Sequence, residues 1–161
     1  MESALIAAAD NLLIACRQRY WTVATAESCT GGMVAAALTA IAGSSDVVDR
    51  GFVTYTNEAK HEMIGVPMPL FTSVGAVSEE VARAMAEGAQ RTAGVDLACG
   101  ITGVAGPGGG TVDKPVGLVH IAAASADRTI HERCQFPGDR HAVRLASALK
   151  ALEMMRYLAE G

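Results

Sequence analysis

A serine lies in a turn that could present its hydroxyl as a nucleophile. Residues 25–32 read Thr-Ala-Glu-Ser-Cys-Thr-Gly-Gly, with Ser28 in the middle. An apolar run over 21–26 precedes the turn and a helix-type run over 33–41 follows it, so a tight strand-to-helix turn is predicted. Such a turn holds a hydroxyl at a strand end, beside the free N–H groups of the first helical turn. The alternative is that Ser28 or Thr30 only caps the helix.

Lys60 is the candidate base for that serine. Asn57 is a good cap for a short helix that starts with Asn57-Glu58-Ala59-Lys60, which would place Lys60 in the first turn. The helix dipole disfavours a cation there, and it favours the neutral amine that a general base needs. Ser–Lys pairs are a known way to activate a serine. The alternative is that Lys60 extends into solvent.

Tyr55 would join this pair if the first two strands are neighbours. It lies near the end of the second predicted strand, 47–56. Ser28, Tyr55 and Lys60 would then all emerge at one edge of the sheet, the edge where α/β folds bind ligands. An ordinary sheet residue with a surface hydroxyl is the alternative for Tyr55. Cys29 is a rival nucleophile, because a helix N-terminus activates a thiolate.

Two further elements favour anions. The loop over 102–111 is rich in glycine, and glycines expose backbone N–H groups that can cradle a phosphate or a flat ring. It matches neither a Walker A loop nor a dinucleotide fingerprint, so ATP and NAD are not expected as cofactors. Arg140 opens the last helix and could bind phosphate there. The alternatives are a mobile surface loop and a surface pair of Arg140 with Asp139 or Glu132.

Composition and charge narrow the class of protein. A chain of 161 residues, half of them hydrophobic, predicts a single domain over 1–161. The net charge of −4 argues against non-specific nucleic-acid binding. No long apolar run or signal pattern is present, so a soluble, cytoplasmic protein without membrane contact is predicted. Neither the histidines nor the cysteines have metal-ligand spacing. Reduced thiols are expected at all four cysteines: Cys16, Cys29, Cys99 and Cys134.

These residues must be positioned by alternating helices and strands. The predicted elements are helix Ser3–Arg19, strand 22–26, helix 32–41, strand 47–56, a short helix from Asn57, helix Glu79–Ala93 capped by Ser78, strand 95–101, hairpin strands 116–125 and 129–136, and a closing helix over 137–159. Proline residues at 67 and 69 predict an irregular connection between the two middle helices. The early strands alternate with helices and predict parallel pairing, whereas the hairpin adds antiparallel strands. The fold class is therefore α/β, a three-layer α/β/α sandwich with a mixed parallel and antiparallel sheet.

The motifs together resemble the CinA C-terminal domain family. The matching stretches span nearly the whole chain in the family's order: 25–32, 51–60 (GFVTYTNEAK), 75–78 (GAVS), 100–109 (GITGVAGPGG), 114–117 (KPVG) and 138–140 (GDR). Longer members of that family carry an additional N-terminal domain that resembles molybdopterin-binding proteins. This chain is similar to the stand-alone form.

The resemblance implies a nicotinamide-nucleotide amidase, which converts nicotinamide mononucleotide to nicotinate mononucleotide and ammonia in pyridine-nucleotide recycling. It implies Ser28 as nucleophile with Lys60 and Tyr55 assisting, no metal or organic cofactor, and a homodimer or higher homo-oligomer. On this hypothesis Lys60 takes the Ser28 proton directly or through Tyr55, and Lys60 or Tyr55 gives a proton to the departing ammonia. N–H groups near Cys29, Thr30 and Gly31 hold the oxyanion. Residues 102–109, with Thr102, Gly103 and Gly106 among them, line the substrate pocket, and Arg140 meets the phosphate.

Two other classes of function stay open at this stage. One is a non-catalytic module that binds a phosphorylated ligand through the glycine-rich loop and Arg140. The other is a protein-interaction domain linked to competence or the DNA damage response, which would need a partner-binding or basic surface. The acidic net charge offers that second class no support.

Overall fold

Five strands form one sheet between two layers of helices in the computed structural model, which describes all 161 residues. The helices are Ser3–Arg19 (α1), Met33–Thr39 (α2), Asn57–Ile64 (α3), Pro69–Ser73 (α4), Glu79–Ala93 (α5) and Arg140–Glu160 (α6). The strands are Val23–Glu27 (β1), Val48–Val53 (β2), Leu97–Gly103 (β3), Leu118–Ala124 (β4) and Thr129–Gln135 (β5). The predicted α/β fold class is confirmed.

The strand order explains how distant residues meet. The strand order in the sheet is β2-β1-β3-β4-β5. Strand β1 is parallel to both β2 and β3, β4 is antiparallel to β3, and β5 is antiparallel to β4. Glu27 at the end of β1 lies opposite Val53 on one side and Ile101 on the other. The segments that follow β1, β2 and β3 therefore leave the sheet at the same edge, as the prediction of neighbouring strands required.

The two helical layers pack against unlike faces of the sheet. Large side chains of β3 such as Leu97 and Ile101 share a core with α1, α2 and α6. On the opposite face the strands carry small residues, including Ala98 and Ala122, and α5 packs on them. Small residues let a helix come close to a sheet, because no long side chain holds the two backbones apart. This packing fixes α5 firmly on the central strands.

Some element boundaries differ from the prediction. Strand β2 ends at Val53 instead of Thr56, since the Thr54 N–H makes a last bond to the Glu27 carbonyl (2.9 Å) before the chain enters α3. The connection predicted to be irregular contains the short helix α4, with Pro69 at its first position, where proline is tolerated. Helices α1 and α5 have the predicted bounds, and Ser78 caps α5 as predicted. None of the helices combines the length and apolar composition needed to cross a bilayer.

Close packing of α5 on β3 makes Gly100 sensitive to substitution. A Cβ at this position would lie 2.6 Å from the Ala86 nitrogen and 2.9 Å from the Met85 Cβ. We expect Gly100→Ala to lower the free energy of unfolding in urea by about 2–3 kcal/mol, because the helix must shift. Gly108→Ala is the matched control, since its Cβ would meet open space, and it should change stability by less than about 0.5 kcal/mol. Equal stabilities of the two variants would contradict this packing.

Candidate active site

The Ser28 turn follows β1 directly and is held by backbone contacts. The Ser28 N–H donates to the Ile101 carbonyl (3.1 Å), which ties the turn to the end of β3. Helix α2 begins after Gly32, a residue at φ +103° whose missing side chain offers no cap. Neither Ser28 nor Thr30 caps the helix, so the capping alternative is wrong. The Ser28 hydroxyl is therefore available for other contacts.

Glu27 caps α2 instead, a role that the sequence did not reveal. Its side chain is fully buried, and its carboxylate accepts from the N–H groups of Val34 (2.9 Å) and Ala35 (3.1 Å). A carboxylate at a helix N-terminus satisfies free donors and interacts favourably with the dipole. Capping residues usually lie within three positions of the helix start, whereas Glu27 reaches across the intervening turn. The turn thus closes around its own acidic residue.

Lys60 points inward and meets Ser28. Helix α3 is capped by Thr56, whose hydroxyl accepts from the Ala59 N–H (3.0 Å), so the predicted Asn57 cap is wrong by one residue. Lys60 is the fourth residue of the helix and only 2% exposed, which also excludes the solvent-facing alternative. Its Nζ lies 3.1 Å from Ser28 Oγ and donates to the Tyr55 carbonyl at 3.0 Å.

Burial lowers the pKa of Lys60 below the ordinary lysine value of 10.5, because it removes the solvation of the ammonium. A thiolate at Cys29 would oppose this shift, but burial is the larger cause. The helix dipole was expected to favour the neutral amine as well, but in the structure the cause of the lowered pKa is desolvation. A neutral Nζ can donate to the Tyr55 carbonyl and keep its lone pair for the Ser28 proton. The pair therefore has the geometry of a nucleophile and its base.

Tyr55 contributes its backbone to this pair and its side chain elsewhere. Ser28 Oγ lies 3.4 Å from the Tyr55 carbonyl oxygen, which Lys60 also contacts. Tyr55 is 58% exposed, and its hydroxyl accepts from Nη2 of Arg140 at 3.2 Å. Because β2 ends at Val53, Tyr55 is not an ordinary sheet residue. Its hydroxyl lies beside a permanent cation and not between Ser28 and Lys60.

Arg140 connects the phenol to the glycine-rich loop. Its Nη1 donates to the Gly106 carbonyl (2.8 Å). It pairs with neither carboxylate proposed for it as a surface partner, because Asp139 caps α6 through the Ala142 N–H (2.9 Å) and Glu132 lies near Lys150. Arg140 therefore brings α6, the loop and Tyr55 together at the rim of the site.

A cavity of about 190 Å³ opens onto the Ser28–Lys60 pair. Its eleven lining residues are Ser28, Cys29, Tyr55, Asn57, Lys60, Ala76, Val77, Thr102, Gly103, Ala105 and Arg140. A second cavity of about 450 Å³ adjoins it and shares Ala105 and Arg140, with Gly106 in its wall. Among the predicted site residues, Thr30 and Gly31 lie in the Ser28 turn but do not line either cavity.

Three of the lining residues were not predicted from the sequence. Asn57, predicted as a helix cap, lines the cavity together with Lys60, and Ala76 and Val77 form another part of its wall. The Ala76 carbonyl accepts from the Thr102 hydroxyl (2.8 Å), which fixes that wall against the end of β3. Thr102 and Gly103, predicted as the start of the glycine-rich loop, are the last two residues of this strand. The GAVS stretch was a usable signal, but no residue type in it indicates chemistry.

The surroundings of Cys29 do not favour a thiolate. Burial raises the pKa of the Cys29 thiol to about 11, which leaves almost no thiolate at neutral pH. All four cysteines are free thiols, as predicted. No cluster of three or more His, Cys, Asp or Glu side chains is arranged to hold a metal ion.

Comparison with known proteins places the chain in a family. The profile of the CinA C-terminal domain matches residues 6–159. The chain belongs to the CinA C-terminal domain family. It is 50% identical over 140 residues to the nicotinamide-nucleotide amidohydrolase PncC of Enterobacter agglomerans, covering 86% of this chain and 85% of that protein. It is 52% identical over 147 residues to a CinA-like protein of Geobacter sp. (strain M21), covering 91% of this chain but 36% of that longer protein.

Solved structures of the CinA superfamily share this fold. The competence/damage-inducible protein CihA of Agrobacterium tumefaciens superposes with a TM-score of 0.96 at 45% identity, over 98% of this chain and 97% of that one. A CinA superfamily protein from Klebsiella pneumoniae superposes with a TM-score of 0.92 at 34% identity, over 96% and 97% of the two chains. The fold is therefore that of the CinA C-terminal domain along nearly its whole length.

The lowered pKa of Lys60 predicts how stability responds to pH. Between the folded pKa and 10.5 the unfolded chain binds more protons, so the buried amine costs stability that is recovered as the pH rises through this window. A Lys60→Met variant carries no such cost. We expect the free energy of unfolding of the variant, minus that of the wild type, to be larger at about pH 7 than at about pH 10 in urea titrations.

Lys150→Met is the control for this titration. Partial burial lowers the pKa of Lys150, but the carboxylates of Glu132 and Glu153 outweigh that effect and the net shift is upward. Up to about pH 10, Lys150 is therefore charged in both the folded and the unfolded wild-type protein. The difference in free energy of unfolding between Lys150→Met and the wild type should then not change with pH. A flat difference for Lys60→Met as well would show that its pKa is not lowered.

Proposed function

We propose that this domain is a nicotinamide-nucleotide amidase that releases ammonia from nicotinamide mononucleotide through an acyl-enzyme on Ser28. The observation that carries the proposal is the contact of 3.1 Å between the buried Lys60 Nζ and Ser28 Oγ at the floor of a cavity. The name of the Enterobacter agglomerans relative, a protein of similar length, supports the choice of substrate.

The first step is attack on the carboxamide. Neutral Lys60 takes the Ser28 proton, and Oγ bonds to the carboxamide carbon as its oxygen becomes an anion. The N–H groups of Cys29 and Thr30 have no acceptor in the protein and can stabilise this oxyanion. The Gly31 N–H already donates to the Ser28 carbonyl (3.0 Å), so we remove it from the predicted donor set. Each preorganised donor contributes about 3–4 kcal/mol in such sites.

The second step expels ammonia and restores the enzyme. Lys60, now protonated, gives its proton to the departing nitrogen, and the carbon–nitrogen bond breaks to leave an acyl-enzyme. Lys60 then takes a proton from water, which attacks the ester carbon and releases nicotinate mononucleotide. The Tyr55 carbonyl holds Nζ in place throughout. Since its hydroxyl lies beside Arg140, we assign Tyr55 a supporting role and not that of a proton relay.

The two cavities divide the substrate between them. Pockets for drug-sized ligands span about 300–1,000 Å³, so a cavity of about 190 Å³ suits the pyridine carboxamide alone. The adjoining cavity would take the ribose phosphate, with Arg140 between the two. Asp139 already caps α6, and the phosphate contact therefore rests on the Arg140 guanidinium more than on the helix N-terminus.

The proposal extends to the wider setting of the reaction. Both proton transfers are assigned to Lys60, so the reaction requires no metal or organic cofactor. We place the protein in the cytoplasm as a homodimer that recycles pyridine nucleotides. Activity of a longer protein that contains such a domain is part of the same proposal, because the chain spans 36% of the Geobacter relative.

Single substitutions test the nucleophile. We expect Ser28→Ala and Lys60→Ala each to lower the rate of ammonia release from nicotinamide mononucleotide by at least about 1,000-fold, because the nucleophile and its base can act only together. Cys29→Ala should keep activity within about threefold of the wild type, since its thiol stays protonated. Ammonia is measured with glutamate dehydrogenase, and circular dichroism checks the fold.

The competing interpretation makes a different prediction in the same assay. A non-catalytic module would bind the mononucleotide, as titration calorimetry would show, but wild-type protein would release no ammonia. Loss of activity in Cys29→Ala with normal turnover in Ser28→Ala would move the nucleophile to the thiol.

The phosphate contact is tested by comparing two substrates. We expect Arg140→Ala to raise the KM for nicotinamide mononucleotide by about 10–100-fold, the value of a charge-assisted hydrogen bond. The KM for nicotinamide riboside, which lacks the phosphate, should change by less than about threefold. Arg156→Ala is the control, because it removes a guanidinium at the other end of α6, where Arg156 contacts Glu160, and it should leave both KM values unchanged. Equal effects of Arg140→Ala on the two substrates would show that it does not bind phosphate.

A further inference from the structure

Arg144, on α6 near the C-terminal end of the chain, donates two hydrogen bonds to the backbone of the Ser28 turn. Its Nε donates to the Cys29 carbonyl (3.0 Å) and its Nη2 donates to the Thr30 carbonyl (3.1 Å). The side chain is half-buried, and no carboxylate lies within ion-pair distance of it. Arg144 belongs to none of the sequence motifs and lines neither cavity.

The two carbonyls belong to the peptide units that follow the nucleophile. In a planar trans peptide the C=O and N–H point in opposite directions. Arg144 on the Cys29 carbonyl therefore directs the Thr30 N–H away from itself, and that N–H has no acceptor in the protein. On the Thr30 carbonyl it fixes the next unit, whose Gly31 N–H donates to the Ser28 carbonyl. One side chain thus sets the direction of both units.

The charge of Arg144 adds to its geometry. A guanidinium stays ionised at any accessible pH, and a charged donor on a carbonyl polarises the whole peptide unit. The Thr30 N–H therefore becomes a stronger donor than a free backbone amide. No carboxylate pairs directly with Arg144. Its positive charge therefore favours a nearby anion and opposes the effect of the buried Glu27 carboxylate on the same turn.

The position of Arg144 on α6 makes this grip rigid. It lies one turn after Arg140, so one face of the helix holds both the Ser28 turn and the glycine-rich loop. Its neighbours Val143 and Ser147 are fully buried against the core. Gly31 leaves room for the guanidinium, since a Cβ there would lie 3.2 Å from Nη2.

We propose that Arg144 is a positioning residue for the oxyanion hole, which orients and polarises the peptide unit that presents the Thr30 N–H beside Ser28. This inference rests on the proposed amidase mechanism and deepens it. Arg144 touches no substrate atom and acts through the backbone. Its loss should therefore weaken binding of the tetrahedral state and leave binding of the planar substrate largely intact.

Steady-state kinetics on nicotinamide mononucleotide test the proposal. We expect Arg144→Ala to lower kcat by about 10–100-fold with KM within about twofold, because a misplaced donor loses most of its effect. Arg144→Lys keeps the charge but not the two-pronged contact and should recover part of kcat. Added guanidinium at low concentration should partly rescue Arg144→Ala. A kcat within threefold of the wild type in Arg144→Ala would overturn the proposal.

Arg19→Ala is the matched control for a purely structural role. Arg19 also donates to two consecutive carbonyls, those of Leu158 and Ala159, but at the other end of α6. The Arg19→Ala variant should have a lower melting temperature than the wild type but the same kcat, and added guanidinium should not change that kcat. If Arg144→Ala also lowers the melting temperature without lowering kcat, Arg144 only stabilises the packing of α6 and the proposal is overturned.

A tetrahedral adduct separates this proposal from the proposed function. Pyridine-3-carboxaldehyde can bond its carbonyl carbon to Ser28 Oγ while the Ser28 proton moves to Lys60, so the carbonyl π bond becomes an oxyanion in the hole. We expect Arg144→Ala to raise the Ki of the aldehyde by about the factor lost in kcat, with the Ki of 3-methylpyridine unchanged. Equal changes in both Ki values would overturn the role of Arg144. A wild-type protein that forms the adduct but releases no ammonia would overturn the substrate instead, and the adduct would still decide the role of Arg144.

Discussion

The site depends on the burial of one amine against one hydroxyl. Lys60 Nζ is removed from water and placed 3.1 Å from Ser28 Oγ. Desolvation destabilises the ammonium, so the same burial that costs folding stability favours the neutral amine that the proposed base requires. Without that burial a lysine would stay protonated at neutral pH and could not accept a proton. The fold must therefore be stable enough elsewhere to keep this side chain inside.

Parallel strand pairing brings the partners of that contact together. Ser28 follows β1, Lys60 follows β2 and Thr102 lies near the end of β3, and these three strands are adjacent and point the same way. Small residues under α5 and a large-residue core under α1 and α6 hold the sheet rigid between two layers. A site at this edge can then be assembled from short turns, each anchored by a strand that cannot shift independently.

Helix α6 closes the site from the C-terminal end of the chain. Arg140 holds the glycine-rich loop and the Tyr55 hydroxyl, and Arg144 holds the turn after Ser28. Both residues act largely through backbone carbonyls. Because a backbone carbonyl is present at every residue, the contacts of α6 with the site are recognised from interatomic distances and not from residue types alone. Solved CinA superfamily structures share the fold at 34–45% identity.

Sequence alone determined the α/β class, the bounds of α1 and α5, and Ser28, Lys60 and Arg140 as residues of interest, because hydrophobic period, capping residues and glycine content are local signals. Its placement of the α3 cap was one residue late, since Thr56 and Asn57 are both good caps and only the end of β2 selects between them. Tertiary structure decided the rest. The capping by Glu27, the outward turn of the Tyr55 hydroxyl and the grip of Arg144 join residues up to 115 positions apart. Such contacts depend on strand order and helix packing, which no local pattern encodes.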